Sequence, residues 1–334
     1  MAKKYEKCFL FFGSDAHGVA SGVVSYENML KECGEIEYYS KFPDTTSPKI
    51  FWTKTYRRAL ESLRGHKGRC HIVIVDIPLD ASDPDTGVRA VEEMAELCDV
   101  TFIDHHRISP EKLGELSRSG ARVISTTAAR STFYAAPDTV LSEDQFKVMR
   151  IGAIADRDMP PPILEEEEMM AYGLDRLVRP PYSPSYAFEV LRKRDWNRLL
   201  EEGRKLVAEL DKYTGPDNVE VGDEYVYVKS APANLRFKVL DRATSKYGKP
   251  YGVSYVETVH RATGKPVALV TVITNWKSGA VAVGKKLDLD KYREMGCEVF
   301  GHESAIVISA PLDRGKEVLK SVLEDPAVHT RGWV

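Results

Sequence analysis

Three adjacent side chains that can bind a metal ion follow a short apolar run in the first third of the sequence. They are Asp104, His105 and His106, and the apolar run covers residues 100–103. The carboxyl ends of buried strands in α/β sheets are where ligands bind. Because carboxylate oxygens and imidazole nitrogens together suit Mn²⁺, Fe²⁺ or Zn²⁺, the triplet predicts one corner of a metal site.

Further ionisable side chains stand just past other predicted strands or buried segments of the first half. In a parallel sheet the carboxyl ends of the strands converge on one edge, so we expect these side chains to meet there. Burying several carboxylates together is costly unless cations neutralise them. The sequence therefore predicts a divalent metal site assembled from several segment ends. Its other members, in chain order, are Asp15, His17, Asp76 and Asp156.

The elements that would position these residues alternate between strands and helices. Apolar, β-branched runs at 71–75 and 100–103 predict buried strands, and residues 88–97 have helical spacing. This alternation predicts an α/β fold with a mainly parallel, doubly wound sheet covered on both faces. Prolines 160–162 end the pattern, and a long charged helix is predicted from 187 to about 213.

After that helix the sequence becomes rich in β-branched residues, which indicates a smaller α+β domain. We therefore expect three parts in the chain. They are an α/β metal-binding domain over 1–186, a linker helix over 187–215 and an α+β domain over 216–334.

Composition narrows the class of protein. The 334 residues carry a formal net charge of -3, which argues against tight, sequence-independent binding of duplex DNA, although a local basic groove is compatible with it. No apolar stretch approaches the ~20 residues that span a bilayer, and the charged N-terminus lacks the apolar core of a signal peptide. The five cysteines form no CxxC pair and are odd in number. We expect reduced thiols in a cytoplasmic protein without membrane partners.

The order of these motifs is that of a known family. The matching segments are Asp15-Ala16-His17-Gly18, the lone Asp76 at a strand end, Asp104-His105-His106 and Ala153-Ile154-Ala155-Asp156. The chain resembles the DHH phosphoesterase superfamily, which includes RecJ-like exonucleases, oligoribonuclease/pAp phosphatases, cyclic-dinucleotide phosphodiesterases and family II pyrophosphatases. The resemblance extends over the whole chain, because these proteins carry a second, DHHA1-type domain after a long linker helix.

The resemblance implies a role for each matching residue. Asp15 would bind a first Mn²⁺, and Asp76 would bridge two metals. Asp104 would orient an imidazole, and His106 would face the substrate phosphate. The second metal would be held, together with Asp76, by His17, His105 and Asp156.

Three residues are candidates for binding the substrate. Gly301 and His302 stand where the second domain of the family carries a glycine-rich segment with a histidine. They would clamp the far end of the substrate. Arg130 follows a segment typical of a helix cap and could bind phosphate, with a surface ion pair as the alternative.

The sequence departs from the family pattern in the first motif. Phe11 stands where the family usually has a histidine, and His17 stands where it usually has a second aspartate. The first metal site therefore loses a ligand, while His17, Asp76, His105 and Asp156 could form an intact second site. Two Mn²⁺ ions are implied by the family, one is compatible with this sequence, and Mg²⁺, Fe²⁺ or Zn²⁺ would also suit the ligands.

Two functions follow from these features. The first is a metal-dependent phosphodiesterase, exonuclease-like, that cleaves short oligonucleotides or small nucleotides with a metal-activated water. The second is a catalytically degenerate relative that binds a nucleotide, nucleic acid or a replication or repair partner. The second is motivated by Phe11, His17 and the single glycine before His302. The sequence is compatible with a homodimer.

Overall fold

The chain divides into two compact units, Met1–Leu206 and Val207–Val334. The computed structural model describes residues 3–40, 51–63, 68–79, 83–106, 108–125, 141–158, 162–260, 264–302 and 304–328. The division falls within the segment predicted as a linker. No helix in these ranges is long and apolar enough to cross a membrane.

The first unit is built on a parallel five-stranded sheet, as the sequence predicts. The strand order is β2-β1-β3-β4-β5, and every neighbouring pair is parallel. The direction of winding therefore reverses between β1 and β3, and such a switch point opens a crevice at the carboxyl ends of the strands. The strands are β1 (Tyr5–Phe12), β2 (Cys33–Ser40), β3 (Cys70–Val75), β4 (Asp99–Asp104) and β5 (Arg122–Ser125).

Helices cover both faces of this sheet. Phe9 and Phe11 on one face pack with Trp52 in a buried cluster beneath α2, α3 and α4, while Phe12 on the other face stacks on Phe188 of α7. The helices are α1 (Ala16–Glu32), α2 (Tyr56–Ser62, after a π-helical turn at Phe51–Thr55), α3 (Pro84–Ala95), α4 (Pro110–Arg118), α5 (Glu143–Ala155), α6 (Glu165–Leu177), α7 (Pro184–Arg192) and α8 (Trp196–Asp211).

The single long helix predicted from 187 is wrong, because the structure has two helices, α7 and α8, in its place. Arg194 between them adopts a left-handed backbone with φ 57°, which ends the first helix. Asp195 then accepts a hydrogen bond from the Arg198 N–H at 3.0 Å and caps the second helix. The apolar spacing continues through the break, which is why periodicity alone missed it.

The expectation of reduced thiols is also wrong for four of the five cysteines. Disulfides join Cys8 to Cys33 and Cys70 to Cys98, and Cys297 is a buried free thiol. Each bond closes one strand–helix–strand unit, with Cα atoms 6.1 and 4.9 Å apart. The pairing depends on the crossover that brings the two strands side by side, so spacing in the sequence does not reveal it.

The second unit is an α+β arrangement around a six-stranded sheet. Its order is β10-β11-β9-β8-β7-β6, antiparallel except for the parallel pair β7–β8. The strands are β6 (Val219–Val221), β7 (Tyr225–Val228), β8 (Tyr251–Val259), β9 (Pro266–Thr274), β10 (Glu298–His302) and β11 (Ala305–Pro311), and the helices are α9 (Arg236–Tyr247), α10 (Leu289–Glu294) and α11 (Gly315–Leu323).

Candidate metal centre

The turn between β1 and α1 places the first two predicted ligands. Asp15 caps α1, because its Oδ1 accepts a hydrogen bond from the Gly18 N–H at 2.8 Å. His17 lies in the first turn of the helix and is 1% exposed. The same short segment therefore starts the helix and buries an imidazole at the carboxyl edge of the sheet.

Asp76 follows β3 in an unusual backbone conformation. Its φ is 57°, a left-handed value that is uncommon outside glycine and is concentrated at functional sites. Its N–H donates to the Ile103 carbonyl at 2.9 Å, which fixes the residue against the end of β4. Gly13 makes this approach feasible, since a Cβ there would lie 2.5 Å from the Asp76 carbonyl oxygen and 2.8 Å from Oδ2.

Two imidazoles converge on one oxygen of Asp76. Oδ1 lies 3.3 Å from His17 Nδ1 and 3.1 Å from His105 Nε2. The three donor atoms all lie within 4.8 Å of one another. Ligands bound to one cation at about 2.1 Å stand roughly 3 to 3.5 Å apart when they are neighbours, so the spacing suits a shared metal ion.

The polar atoms of Asp76 provide a direct test of that fit. The Asp76 side chain is 1% exposed, and neither carboxylate oxygen makes a hydrogen bond of good geometry with the described residues. A buried carboxylate without hydrogen bonds is costly. A cation between Asp76, His17 and His105 would satisfy it, so the residues present fit a divalent metal.

His106 faces Asp104 rather than this cluster. Its Nδ1 lies 2.8 Å from Asp104 Oδ1, which is hydrogen-bond distance, and 3.9 Å from Asp76 Oδ1. Asp104 is fully buried, and its Oδ2 has no hydrogen-bond partner among the described residues. This is the geometry of a carboxylate that orients an imidazole, and the role itself stays a prediction.

Asp156 and Asp15 lie at the border of the cluster. Asp156 follows α5, and its Oδ2 is 3.8 Å from His105 Nε2. Within the described part of the chain, Asp15 shares no three-donor group with the other ligands. Loss of hydration at the base of the site, together with the negative charges of Asp76 and Asp156, raises the pKa of Asp15 to about 6, even though part of its surface stays accessible.

The carboxylates and imidazoles perturb one another strongly in the metal-free chain. Burial alone would lower the pKa of His17, but the charge of Asp76 and the contact with it raise that pKa to about 10. Burial likewise opposes protonation of His106, but Asp104 raises its pKa to about 9. Burial would raise the pKa of Asp76, and His17 and His105 hold it well below its usual range. Protons thus supply the positive charge that a cation would bring.

Phe11 is the residue that departs most clearly from the family pattern. Its ring is fully buried, 5.4 Å from Tyr39 and 5.2 Å from Phe51 between ring centroids. It belongs to the hydrophobic core under the sheet. The position therefore contributes packing and no metal ligand.

The predicted substrate-binding residues are Arg130, Gly301 and His302. Arg130 lies outside the described residues. Gly301 and His302 belong to β10 of the second unit, where Gly301 has φ 123°. Their roles stay predictions. The contact of Gly13 with Asp76 was not apparent from the sequence, where this glycine predicts only a tight turn.

Comparison with known proteins gives the fold. No family model and no curated protein sequence matches the chain. It is similar to the pGpG-specific phosphodiesterase PggH from Vibrio cholerae, with 11% identity, a TM-score of 0.55, and coverage of 98% of this chain and 100% of that one. Other matches are RecJ with Mn²⁺ from Thermus thermophilus (13%, TM-score 0.49, covering 99% and 53%) and CDC45 from Entamoeba histolytica (9%, 0.48, 97% and 96%).

The likeness to PggH confirms the fold that the motifs predict. The chain has the DHH/RecJ-like fold, an α/β domain on a parallel five-stranded sheet followed by a second domain. At this level of identity the similarity concerns the fold alone. What reaction the chain can support depends on the cluster of His17, Asp76 and His105 at the edge of the sheet.

Proposed function

We propose that this chain is a metal-dependent phosphodiesterase that hydrolyses short oligonucleotides or small nucleotides. The observation that carries the proposal is the buried Asp76. Its oxygens make no hydrogen bond of good geometry with the residues that the structure describes, while His17 Nδ1 and His105 Nε2 lie 3.3 and 3.1 Å from Oδ1. These three residues would hold a divalent cation, with Asp156 as the candidate fourth ligand. When bound, the cation lowers the pKa of water and neutralises charge on a phosphoryl group.

The remaining residues of the cluster would handle the substrate. Asp104 would orient His106, and in the metal-free chain it raises the pKa of this imidazole to about 9. His106 is partly exposed, with 25% of its side chain accessible. We assign it to the substrate phosphate, where an imidazolium stabilises developing negative charge.

The substrate class is supported by the acidic site and by the fold. The negative charges of Asp15, Asp76 and Asp156 at the edge of the sheet repel phosphate unless a cation and His106 offset them, so binding should depend on metal. The similar protein PggH is named as a pGpG-specific phosphodiesterase. A linear dinucleotide is therefore the first substrate to test. Gly301, His302 and Arg130 would bind the part of the substrate remote from the metal.

The test is a substrate panel with the purified full chain. Linear and cyclic dinucleotides, short RNA and DNA oligonucleotides and nucleotide monophosphates would each be incubated with Mn²⁺, Mg²⁺, Fe²⁺ or Zn²⁺. We expect hydrolysis that is abolished in Asp76→Ala and His105→Ala and kept in His260→Ala, a histidine of the second unit. Absence of turnover with every substrate and metal would rule the proposal out.

A binding-only function is the second candidate, and Phe11 is the observation that favours it. Its ring occupies the core where the family carries a metal-ligating histidine, so the two-metal clamp of an in-line displacement lacks a ligand. A chain of this kind would bind nucleotide or nucleic acid saturably without cleaving it. Equilibrium binding with the same panel, read beside the turnover assay, separates the two functions.

A further inference from the structure

The three donor atoms that meet at Asp76 are two nitrogens and one oxygen. His17 Nδ1 and His105 Nε2 share the cluster with one carboxylate, and Asp156 Oδ2 at 3.8 Å from His105 is the nearest additional oxygen. Imidazole suits Zn²⁺ and Fe²⁺, whereas carboxylate and water suit Mg²⁺ and Mn²⁺. The proportion of nitrogen to oxygen donors therefore indicates which metal ions the site prefers.

The surrounding residues that the structure describes offer few free ligands for a second cation. Phe11 packs in the core, and Asp15 uses its Oδ1 to cap α1. A second three-donor group, Asp76, Asp104 and His106, exists among the described residues. In it His106 Nδ1 already donates to Asp104 Oδ1 at 2.8 Å, so the same nitrogen is not available to a metal.

We propose that His17, Asp76 and His105 form a mononuclear site whose two imidazoles select Zn²⁺ or Fe²⁺ over Mn²⁺ and Mg²⁺. This inference rests on the proposed function, since it concerns the same site. It differs from the two Mn²⁺ ions that the family resemblance implies. His17 is the selecting residue, because a carboxylate at its position would make the site mostly oxygen.

Absolute affinity alone would not test this selectivity. Nearly every protein site binds Zn²⁺ more tightly than Mn²⁺, because affinities follow the Irving–Williams order. The informative quantity is the ratio of the two affinities, and how that ratio changes when one imidazole is replaced by a carboxylate. His17→Asp makes this replacement within the cluster. His260→Asp makes the same replacement on the second unit, where His260 Nε2 lies 3.4 Å from Glu298.

The experiment uses the metal-free full chain without substrate. Calorimetric titration with Zn²⁺ alone and Mn²⁺ alone, and competition between them, gives the affinity ratio for wild type and both variants. Elemental analysis after dialysis against each ion gives the number of metals per chain. Circular dichroism shows whether His17→Asp folds. If it does not, the affinity ratio is measured for His105→Asp, which makes the same replacement at the other imidazole of the cluster, and metal counting on the wild type still decides the stoichiometry.

We expect one metal per wild-type chain and a Zn²⁺/Mn²⁺ affinity ratio that falls at least about tenfold, or 1.4 kcal/mol, in His17→Asp but not in His260→Asp. Two tightly held Mn²⁺ ions, or a ratio unchanged in His17→Asp, would overturn the inference. The outcome is separable from that of the proposed function. Two Mn²⁺ ions with turnover would support the hydrolase and refute the single site. One Zn²⁺ without turnover on any substrate would support the single site and refute the hydrolase.

Discussion

The protonated histidines of the metal-free site make a prediction about stability and pH. The pKa of His17 is raised to about 10 and that of His106 to about 9, against about 6.5 in an unfolded chain. A group whose pKa is raised by folding stabilises the folded state fully below its unfolded pKa. That stabilisation is lost as the pH rises through the folded pKa. The metal-free protein should therefore become less stable between pH 7 and pH 9.

The size of the effect follows from the number of protons held. Each histidine contributes a slope of at most about 1.4 kcal/mol per pH unit, so the two together give at most about 2.8 kcal/mol per pH unit. His17→Asn removes one of them and should reduce the slope by about half. Working at pH 7 and above avoids Asp15, whose pKa is raised only to about 6.

A bound cation should remove this dependence, because it neutralises the carboxylates and needs the lone pair of His17. The assay is urea denaturation of the wild type and His17→Asn from pH 7 to pH 9, with chelator or with excess metal. Stabilisation by metal should increase with pH in the wild type. A metal-free stability that is flat over this range, or a slope unchanged in His17→Asn, would show that folding does not raise the pKa of these histidines.

Three further outcomes can be measured on the same preparation. Gly13→Ala should lower stability by about 1–3 kcal/mol and weaken metal binding in calorimetry, because the added Cβ meets Asp76, whereas Gly215→Ala, with open space around it, should do neither. Reducing both disulfides should remove about 2–4 kcal/mol of stability for each bond and so lower the midpoint temperature of thermal unfolding. An unchanged midpoint would contradict their structural role. Burial lowers the pKa of His71, so the protein should lose stability as the pH falls below about 6.5 and this residue is protonated in the unfolded chain. His71→Gln should flatten the dependence of stability on pH between pH 5 and pH 6.5, measured by urea denaturation.

The parallel sheet and the meeting of the ligands were predictable because both follow from local patterns. A β-branched run that ends on Asp76 predicts a buried strand and the edge at which it ends. The next strand then brings His105 to the same edge. Parallel pairing then brings these residues close together, because it places the carboxyl ends of all the strands at one edge of the sheet.

Other features depend on tertiary contacts that no local pattern encodes. The disulfides require the crossovers, and the break at Arg194 requires a left-handed residue that interrupts an otherwise continuous apolar spacing. The orientation of Phe11 is of the same kind. Alternation along β1 fixes which face it occupies, but only the packing of Phe51 and Tyr39 shows that this face is closed core.

The left-handed backbone of Asp76 also bears on how such a chain would change over evolution. Asparagine or glycine would adopt φ 57° more readily than aspartate, and either would remove a buried negative charge. If the site served no chemistry, drift toward one of these residues, together with loss of the imidazole of His17 that faces it, would relieve the backbone strain and remove the buried charges without loss of function. A chain that keeps aspartate at position 76 keeps a strained backbone and a buried charge. A chain without catalytic function could lose both. Position 76 is therefore where a working hydrolase and a descendant reduced to binding should first diverge.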